Sequence, residues 1–201
     1  MGHSSGSIVP TIRFTRRKLP HWEVGAGRYF VTVRCAGSLP NEVTGRLAEV
    51  AQAMALVEPR SPQFAALQRE SFRTLEKYLD HAADGVLVDD AARLLASEFE
   101  SITEIGFEIP HFSILPNHWH ALLVSKSATP RELSAVMKRI KGRSGKRLRK
   151  LLGGAGPIWQ REWFDHWVRD EGEWDRIVAY IRGNPVKAKI VSRWEDHPWT
   201  K

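Results

Sequence analysis

The decisive stretch of this chain reads Leu115-Pro116-Asn117-His118-Trp119-His120-Ala121-Leu122-Leu123-Val124. Its high β-propensity predicts a strand, and the two-residue period of a strand places His118 and His120 on one face. Trp119 and the apolar residues that alternate with the histidines then face the other way. Two neutral imidazoles side by side can hold a divalent metal with further oxygen or nitrogen ligands. The spacing alone equally allows two histidines that line a half-exposed strand.

Length and composition indicate a single-domain protein without a membrane span or an internal disulfide. The 201 residues suffice for one domain with a sizeable core, and no apolar run approaches the length of a membrane span. Residues 1–10 are small and polar and lack the apolar centre of a secretory signal. Cys35 is the only cysteine, which excludes an internal disulfide and favours a reducing cytoplasm. We therefore expect a cytoplasmic protein that does not associate with a membrane.

Basic residues dominate the charge and are unevenly distributed. The net charge is +7 and the isoelectric point is about 9.8. Between Lys126 and Lys150 there are ten Lys or Arg and one acid, Glu132, whereas residues 76–108 are strongly acidic. This uneven distribution of charge along the sequence predicts one basic surface that attracts a polyanion.

The order of predicted elements indicates an α+β fold. Strands are expected at residues 28–34, 105–114, 118–124 and 158–168. Helices are expected at 61–82, from 89, at 130–152 with Leu151 on its inner face, and at 170–181. Residues 44–57 fit either a short helix or a loop. This βαββαβ succession is typical of a ferredoxin-like antiparallel sheet with helices on one face, followed by a C-terminal helix.

The C-terminal helix carries the remaining candidates. Tyr180 falls off the apolar stripe of this helix and Asn184 lies one turn further on. A tyrosine there is either an amphipathic side chain at the core margin or a functional group. Asn184 before Pro185 also suits the N-cap of a new helix, so capping and ligand roles compete.

An ordered set of motifs resembles the REP-associated tyrosine transposases, a branch of the single-tyrosine HUH transposases. The set runs from about residue 17 to the C-terminus, and residues 41–60 match none of its motifs. The matching pieces are Leu19-Pro20-His21-Trp22, Tyr29-Phe30-Val31-Thr32, Leu115-Pro116-Asn117-His118-Trp119-His120, Ile140-Lys141-Gly142, Ile158-Trp159-Gln160, Trp163-Phe164-Asp165-His166, Val168-Arg169-Asp170 and Tyr180-Ile181-Arg182-Gly183-Asn184-Pro185-Val186-Lys187-Ala188. Two departures are Leu115, where the family usually has Met, and the bulky Trp119 between the histidines.

The resemblance implies an HUH domain that nicks and joins single-stranded DNA. Tyr180 would be the nucleophile that forms a 5′-phosphotyrosine, and His118, His120 and Asn184 would bind Mg²⁺ or Mn²⁺. Residues 1–18 would be a basic, partly disordered arm, and residues 19–201 one domain that includes the tyrosine helix. A monomer is expected, with a homodimer as the alternative. Because metal-bound imidazoles are unprotonated, activity should fall as the pH drops through about 6.5.

Single-stranded or hairpin DNA is the partner that a transposase of this kind requires. Basic side chains at three places are expected to contact it. They are Arg13, Arg16, Arg17, Lys18, Lys138, Arg139, Lys141, Arg143, Lys146 and Lys187. Two rival functions remain: a domesticated protein that binds DNA hairpins without cleaving them, and a metal-dependent hydrolase that uses water, with Tyr180 in the core.

Overall fold

The computed structural model describes residues 11–16, 20–24, 27–59, 61–79, 85–126 and 132–201. A 3₁₀ helix at Ser101–Ile105 precedes the second half of the main sheet. In chain order the strands and helices are β1 (Thr11–Arg16), β2 (Pro20–Val24), β3 (Arg28–Arg34), α1 (Asn41–Leu56), α2 (Pro62–Leu79), α3 (Asp89–Glu100), β4 (Phe107–Leu115), β5 (His118–Ser125), α4 (Leu133–Leu152), β6 (Phe164–Trp167) and α5 (Glu171–Lys187).

Four strands form an antiparallel sheet in the order β4-β5-β3-β6. The hairpin of β4 and β5 turns at Pro116 and Asn117, as the sequence predicts. In the central pair, Thr32 lies opposite His120 and Arg34 opposite His118. The register of β4 shifts between Glu108 and His111, on either side of Pro110, because proline cannot donate to a ladder. The ferredoxin-like βαββαβ arrangement is confirmed.

Helices cover both faces of this sheet, so the expectation of helices on one face is wrong. Trp119 and Leu123 point into a core shared with α3 and α4. Leu122 and Phe30 point into a second core, built with α1, α2 and α5. The physical reason is that the side chains on both faces of β5 are buried. A sheet with one solvent-exposed face would carry polar, exposed side chains on that face.

Local signals set several boundaries. Ser61 Oγ accepts a hydrogen bond of 3.0 Å from Phe64 N, which confirms the predicted start of α2. The predicted strand over 158–168 is shorter, since only β6 pairs regularly and Trp159 makes an isolated bridge to Cys35. The segment 44–57, which fits either a helix or a loop by its sequence, is helical as far as Leu56, the last residue of α1. Leu151 is 47% exposed and does not belong to the inner face of α4.

The C-terminal tail covers the outer edge of β4. Ile114 N donates to Trp199 O at 2.9 Å, and Lys201 N donates to Phe112 O at 2.9 Å. These bonds satisfy edge groups that would otherwise be open to another strand. Among the described residues, no helix combines the length and the apolar character that crossing a membrane requires.

Candidate active site

Two buried imidazoles form the centre of the site. His118 and His120 leave β5 on the same face, as the strand period predicts, and both are 0% exposed. Their Nε2 atoms lie 3.0 Å apart. The alternative of histidines lining a half-exposed strand is therefore wrong: the pair is enclosed between the sheet and the helices packed on it.

Hydrogen bonds to the Nδ1 atoms orient both rings. Asn117 Nδ2 donates to Leu79 O at 3.4 Å, so Asn117 Oδ1 is the atom that faces His118 Nδ1 at 2.6 Å. Because an amide oxygen only accepts, His118 Nδ1 carries the proton and His118 Nε2 keeps its lone pair. Thr32 Oγ1 lies 2.8 Å from His120 Nδ1 and satisfies either tautomer of that ring. Metal-binding histidines are usually held by such bonds on their second nitrogen.

Glu76 on α2 is the carboxylate beside this pair, and the sequence analysis missed it. Its Oε1 lies 3.8 Å from His120 Nε2, and the residue is 5% exposed. The helical period indicates that Glu76 is buried, because it falls between Leu75 and Leu79 on the buried face of α2. An acid on an apolar helix face requires a partner of opposite charge or a metal.

The nucleophile candidate Tyr180 packs directly on the histidine pair. Its ring centroid lies 5.3 Å from that of His120, 5.8 Å from Phe30 and 5.7 Å from Phe72. The Tyr180 hydroxyl is buried and makes no hydrogen bond within the described part of the chain. Packing explains why the Tyr180 ring is buried. It does not explain the hydroxyl, since buried hydroxyls are normally hydrogen-bonded.

Asn184 lies inside α5, so its interpretation as the N-cap of a new helix is wrong. The helix continues through Pro185, and Ala188 N donates to Asn184 O at 2.8 Å. Asn184 Nδ2 donates to Tyr180 O at 2.8 Å, which directs the amide along the helix. Asn184 Oδ1 is buried and finds no hydrogen-bond partner among the described residues. That oxygen is available as a ligand.

The donor set fits a divalent cation. Two ligands bound about 2.1 Å from an ion at a right angle lie roughly 3.0 Å apart, the separation of the two Nε2 atoms. No group of three or more His, Cys, Asp or Glu among the described residues is arranged to hold an ion, so within those residues the two imidazoles are joined by no third ligand of these types. Asn184 Oδ1 is a buried amide oxygen without a hydrogen-bond partner among the described residues, one helical turn from Tyr180.

Burial keeps both imidazoles neutral. It lowers the pKa of His118 to about 3, and the positive charge of Lys187 acts in the same direction. Burial also lowers the pKa of His120 well below its usual value, with further contributions from His118 and Lys187. Lys187 is thus close enough to influence the site electrostatically. The neutral form is the one that binds a metal.

The basic residues predicted on α4 divide into two groups. Arg139 pairs with Glu104 at 2.6 Å, and Arg143 pairs with the buried Glu98 at 3.1 Å. Lys141 Nζ donates to the carbonyl oxygens of Gln160 and Arg161 at 2.8 and 2.6 Å. These three side chains therefore serve the fold. Lys141 also lines a surface cavity of about 610 Å³ between α4 and residues 157–163, together with Lys138, Lys146 and Arg149.

The predicted N-terminal contacts are only partly described. Arg13 and Arg16 lie in β1, which pairs antiparallel with β2. Arg17 and Lys18 lie outside the described residues. The DNA contacts of this arm stay a prediction.

Comparison with known proteins identifies the family. Residues 84–184, about half of the chain, match the family model described as "Transposase IS200 like". The chain belongs to the IS200-like transposase family. The matched part of this transposase includes His118, His120, Tyr180 and Asn184, while Glu76 precedes it.

Two similar proteins place the transposase further. An uncharacterized protein of Haemophilus influenzae (strain ATCC 51907 / DSM 11121 / KW20 / Rd) is 30% identical over 97 residues, covering 39% of this chain. The match spans 54% of that relative's length, about half of it. A solved REP-associated tyrosine transposase bound to a REP hairpin is similar in fold, with a TM-score of 0.57 and 19% identity over 90% of this chain and 79% of the other. Membership of the IS200-like transposase family and the predicted fold are thus confirmed.

Proposed function

We propose that this transposase nicks and rejoins single-stranded DNA next to REP-like palindromic hairpins, through a covalent 5′-phosphotyrosine on Tyr180. The observation that carries the proposal is the contact between Tyr180 and His120 within one chain, with rings 5.3 Å apart and a buried hydroxyl that has no hydrogen-bond partner in the described residues. A nucleophile that belongs to the same chain as the histidine pair makes a monomer sufficient for the reaction.

The two Nε2 atoms and Asn184 Oδ1 would hold the metal, and Glu76 is an acid that lies 3.8 Å from His120 Nε2. Mixed nitrogen and oxygen ligands suit Mn²⁺, and the oxygens suit Mg²⁺. When bound, such an ion supplies Lewis-acid stabilisation of the charge that develops on the scissile phosphate. Asn117 and Thr32 position the two rings through their Nδ1 atoms; Asn117 leaves the Nε2 lone pair of His118 free, and Thr32 accepts from His120 Nδ1 in the tautomer that can bind a metal.

Strand transfer follows from the chemistry of Tyr180. A phenol with a pKa of about 10 is a weak nucleophile at neutral pH and has to lose its proton as it attacks. Its oxygen forms a bond to phosphorus while the bond from phosphorus to the 3′ oxygen breaks, and the leaving oxygen takes up a proton. The phosphotyrosine ester keeps the bond energy, so that attack by another 3′-hydroxyl rejoins DNA without ATP and releases Tyr180.

Hairpin DNA is proposed as the partner on three grounds. The net charge of +7 favours a polyanion, and the cavity beside α4 is lined by Lys138 and Lys146, which form no ion pair within the described part of the chain. The structural relative of similar fold is bound to a REP hairpin. We assign hairpin binding to this basic surface and cleavage to the histidine face of the sheet.

One observation favours hairpin binding without cleavage as a second candidate. Both imidazoles are 0% exposed, and Glu76 of α2 and Tyr180 of α5 lie against them. A phosphate reaches the pair only if side chains of these helices move. A protein that has given up cleavage would have no need for such movement.

Covalent trapping tests the proposal. DNA of the palindromic repeats nearest the gene, with single-stranded flanks and a fluorescent label at the 3′ end, is incubated with the protein in Mg²⁺, Mn²⁺ or EDTA. We expect labelled protein on a denaturing gel in either metal, and none in EDTA or with Tyr180→Phe. Because the hydroxyl makes no hydrogen bond to described residues, Tyr180→Phe should fold normally, which a thermal melt checks.

The rival functions give different outcomes in the same experiment. Cleaved DNA without labelled protein, retained in Tyr180→Phe, would indicate a hydrolase that uses water. Binding of the hairpin with intact DNA in both metals would indicate a domesticated binding protein.

A further inference from the structure

A cavity of about 360 Å³ lies between α2, α5 and the edge of the sheet, beside Tyr180. Its inner wall is formed by four aromatic rings, those of Phe30, Phe72, Phe164 and Tyr180. Phe72 and Phe164 have centroids 4.8 Å apart, and Phe72 and Tyr180 5.7 Å apart. Phe72 and Tyr180 are half-buried, so parts of their rings face the cavity. The volume lies within the range of small-ligand pockets, about 300–1,000 Å³.

The rim of this cavity is strongly positive. Four exposed arginines surround it: Arg69 and Arg73 from α2, Arg169 just before α5, and Arg176 within α5. None of the four pairs with a carboxylate in the part of the chain that the structure describes. Glu173 is the acid of the lining, and its carboxylate already accepts from His166 Nε2 at 2.7 Å and from Arg169 N at 2.9 Å. The rim thus keeps its positive charge for an outside partner.

Aromatic faces enclosed by unpaired arginines suit one chemical class, a nucleotide within a polyanionic strand. A base stacks on the rings, and its flanking phosphates pair with the guanidinium groups. A purely apolar ligand would leave the arginines without partners, and a free phosphate would leave the rings unused. Because every base has a π-face, stacking of this kind tolerates different sequences.

We infer that this cavity binds one unpaired base of the DNA strand beside the cleavage site. The location follows from Tyr180, whose ring both lines the cavity and contacts His120. This inference rests on the proposed function, since it places the bound strand on the same face of the sheet as the nucleophile. The cavity is separate from the basic surface of α4, which lies against the opposite core.

Binding measurements without cleavage test this base site. Fluorescence anisotropy in EDTA compares two 12-mers, one of deoxythymidine and one of abasic residues with the same phosphates, so phosphate contacts are equal. For the wild type we expect about tenfold tighter binding of the deoxythymidine strand. Phe72→Leu, which keeps an apolar side chain of similar size, should bring the two affinities within about twofold. Equal affinities in the wild type, or an undiminished preference in Phe72→Leu, would overturn the inference.

A charge control separates the rim from the rest of the surface. Arg69→Ala/Arg176→Ala should weaken binding of both strands and leave the ratio of their affinities unchanged, because phosphate contacts do not read the base. If the double arginine variant changed the ratio of the two affinities as much as Phe72→Leu does, the rings and the rim would not have separate roles. Since EDTA prevents any metal-dependent step, loss of the covalent adduct and loss of base preference are independent results. Circular dichroism melts verify that each variant is folded.

Discussion

His118 Nδ1 lies 2.6 Å from Asn117 Oδ1, and this bond between chain neighbours decides which nitrogen of His118 faces His120. The turn residue Asn117 thus orients the His118 ring in addition to joining β4 to β5. Its amide reaches α2 through Leu79 O, so its orientation is fixed by the helix that covers the histidines. The tautomer of the metal-binding candidate is therefore set by the fold.

The first prediction concerns this positioning residue. Asn117→Asp keeps an oxygen that accepts from His118 Nδ1, whereas Asn117→Leu removes it. We expect Asn117→Leu to weaken Mn²⁺ binding about 10- to 100-fold, the usual effect of losing such an outer bond, and Asn117→Asp to weaken it much less. Titration of Mn²⁺ followed by electron paramagnetic resonance measures the free ion. Equal affinities for the two variants would mean that the 2.6 Å bond does not position the ring.

The second prediction concerns the pH dependence of stability. An unfolded histidine titrates near pH 6.5, whereas burial lowers the pKa of folded His118 to about 3. Between these values the unfolded chain takes up a proton that the folded chain does not, so stability is full above pH 6.5 and falls as the pH decreases. Each such histidine contributes up to about 1.4 kcal/mol per pH unit. The same shift moves the expected loss of activity below pH 6.5.

Urea unfolding in EDTA at pH 7, 6 and 5 measures this slope. His118→Gln removes one titrating group, so its free energy of unfolding should fall less steeply than that of the wild type by about 1.4 kcal/mol per pH unit. Parallel curves for the two proteins would show that His118 takes up a proton in the folded state too.

Much of the site could be predicted from sequence because it depends on local geometry. The period of a strand places His118 and His120 together, and the helical period places Asn184 one turn after Tyr180. The contact between Tyr180 and His120 was expected only through family resemblance, since it joins elements about 60 residues apart in the sequence. The helical period places Glu76 on the buried face of α2, but its position beside His120 depends on how α2 lies over the sheet, which no spacing encodes.

Other differences also come from tertiary packing. The segment 44–57 has weak periodicity, yet it is helical because its few buried side chains, such as Val50 and Met54, pack in a small cluster with Phe64. The sequence favours a helix boundary at Pro185, but α5 continues through it, with Ile181, Asn184 and Pro185 buried on its inner side. Ala188 N donates to Asn184 O at 2.8 Å, so the helical hydrogen bonds resume directly after the proline.

The third prediction concerns the support of the histidine hairpin by the loop before α3. A Cβ on Gly85 would lie 2.0 Å from Pro116 O and 2.7 Å from Asn117 N, both backbone atoms. Gly85→Ala must therefore displace the turn and should destabilise the fold by about 1–3 kcal/mol. Gly45→Ala in α1 is the control, because a Cβ there meets nothing within 4 Å. It should stabilise by about 0.5–1 kcal/mol. Urea unfolding of both variants measures the difference, and a neutral Gly85→Ala would contradict this packing.

The fourth prediction separates binding from folding on α4. Arg143 and Arg147 both pair with Glu98, which is 1% exposed, at 3.1 and 2.5 Å. Arg143→Ala/Arg147→Ala leaves that buried carboxylate without either partner and should destabilise the fold by about 3 kcal/mol. Lys138→Ala/Lys146→Ala removes the same charge from the cavity lining and should leave the unfolding free energy within about 0.5 kcal/mol.

DNA binding should respond in the opposite order. Each lost phosphate contact reduces the slope of log affinity against log salt by about 0.7 for a single strand and about 0.9 for a duplex. Lys138→Ala/Lys146→Ala should therefore lower the slope for a DNA hairpin by about 1–2, measured by anisotropy between 50 and 200 mM salt. Arg143→Ala/Arg147→Ala, assayed well below its melting temperature, should keep the wild-type slope, because those guanidinium groups are engaged by Glu98. The reverse result would mean that the paired arginines, and not the cavity lysines, contact the phosphates.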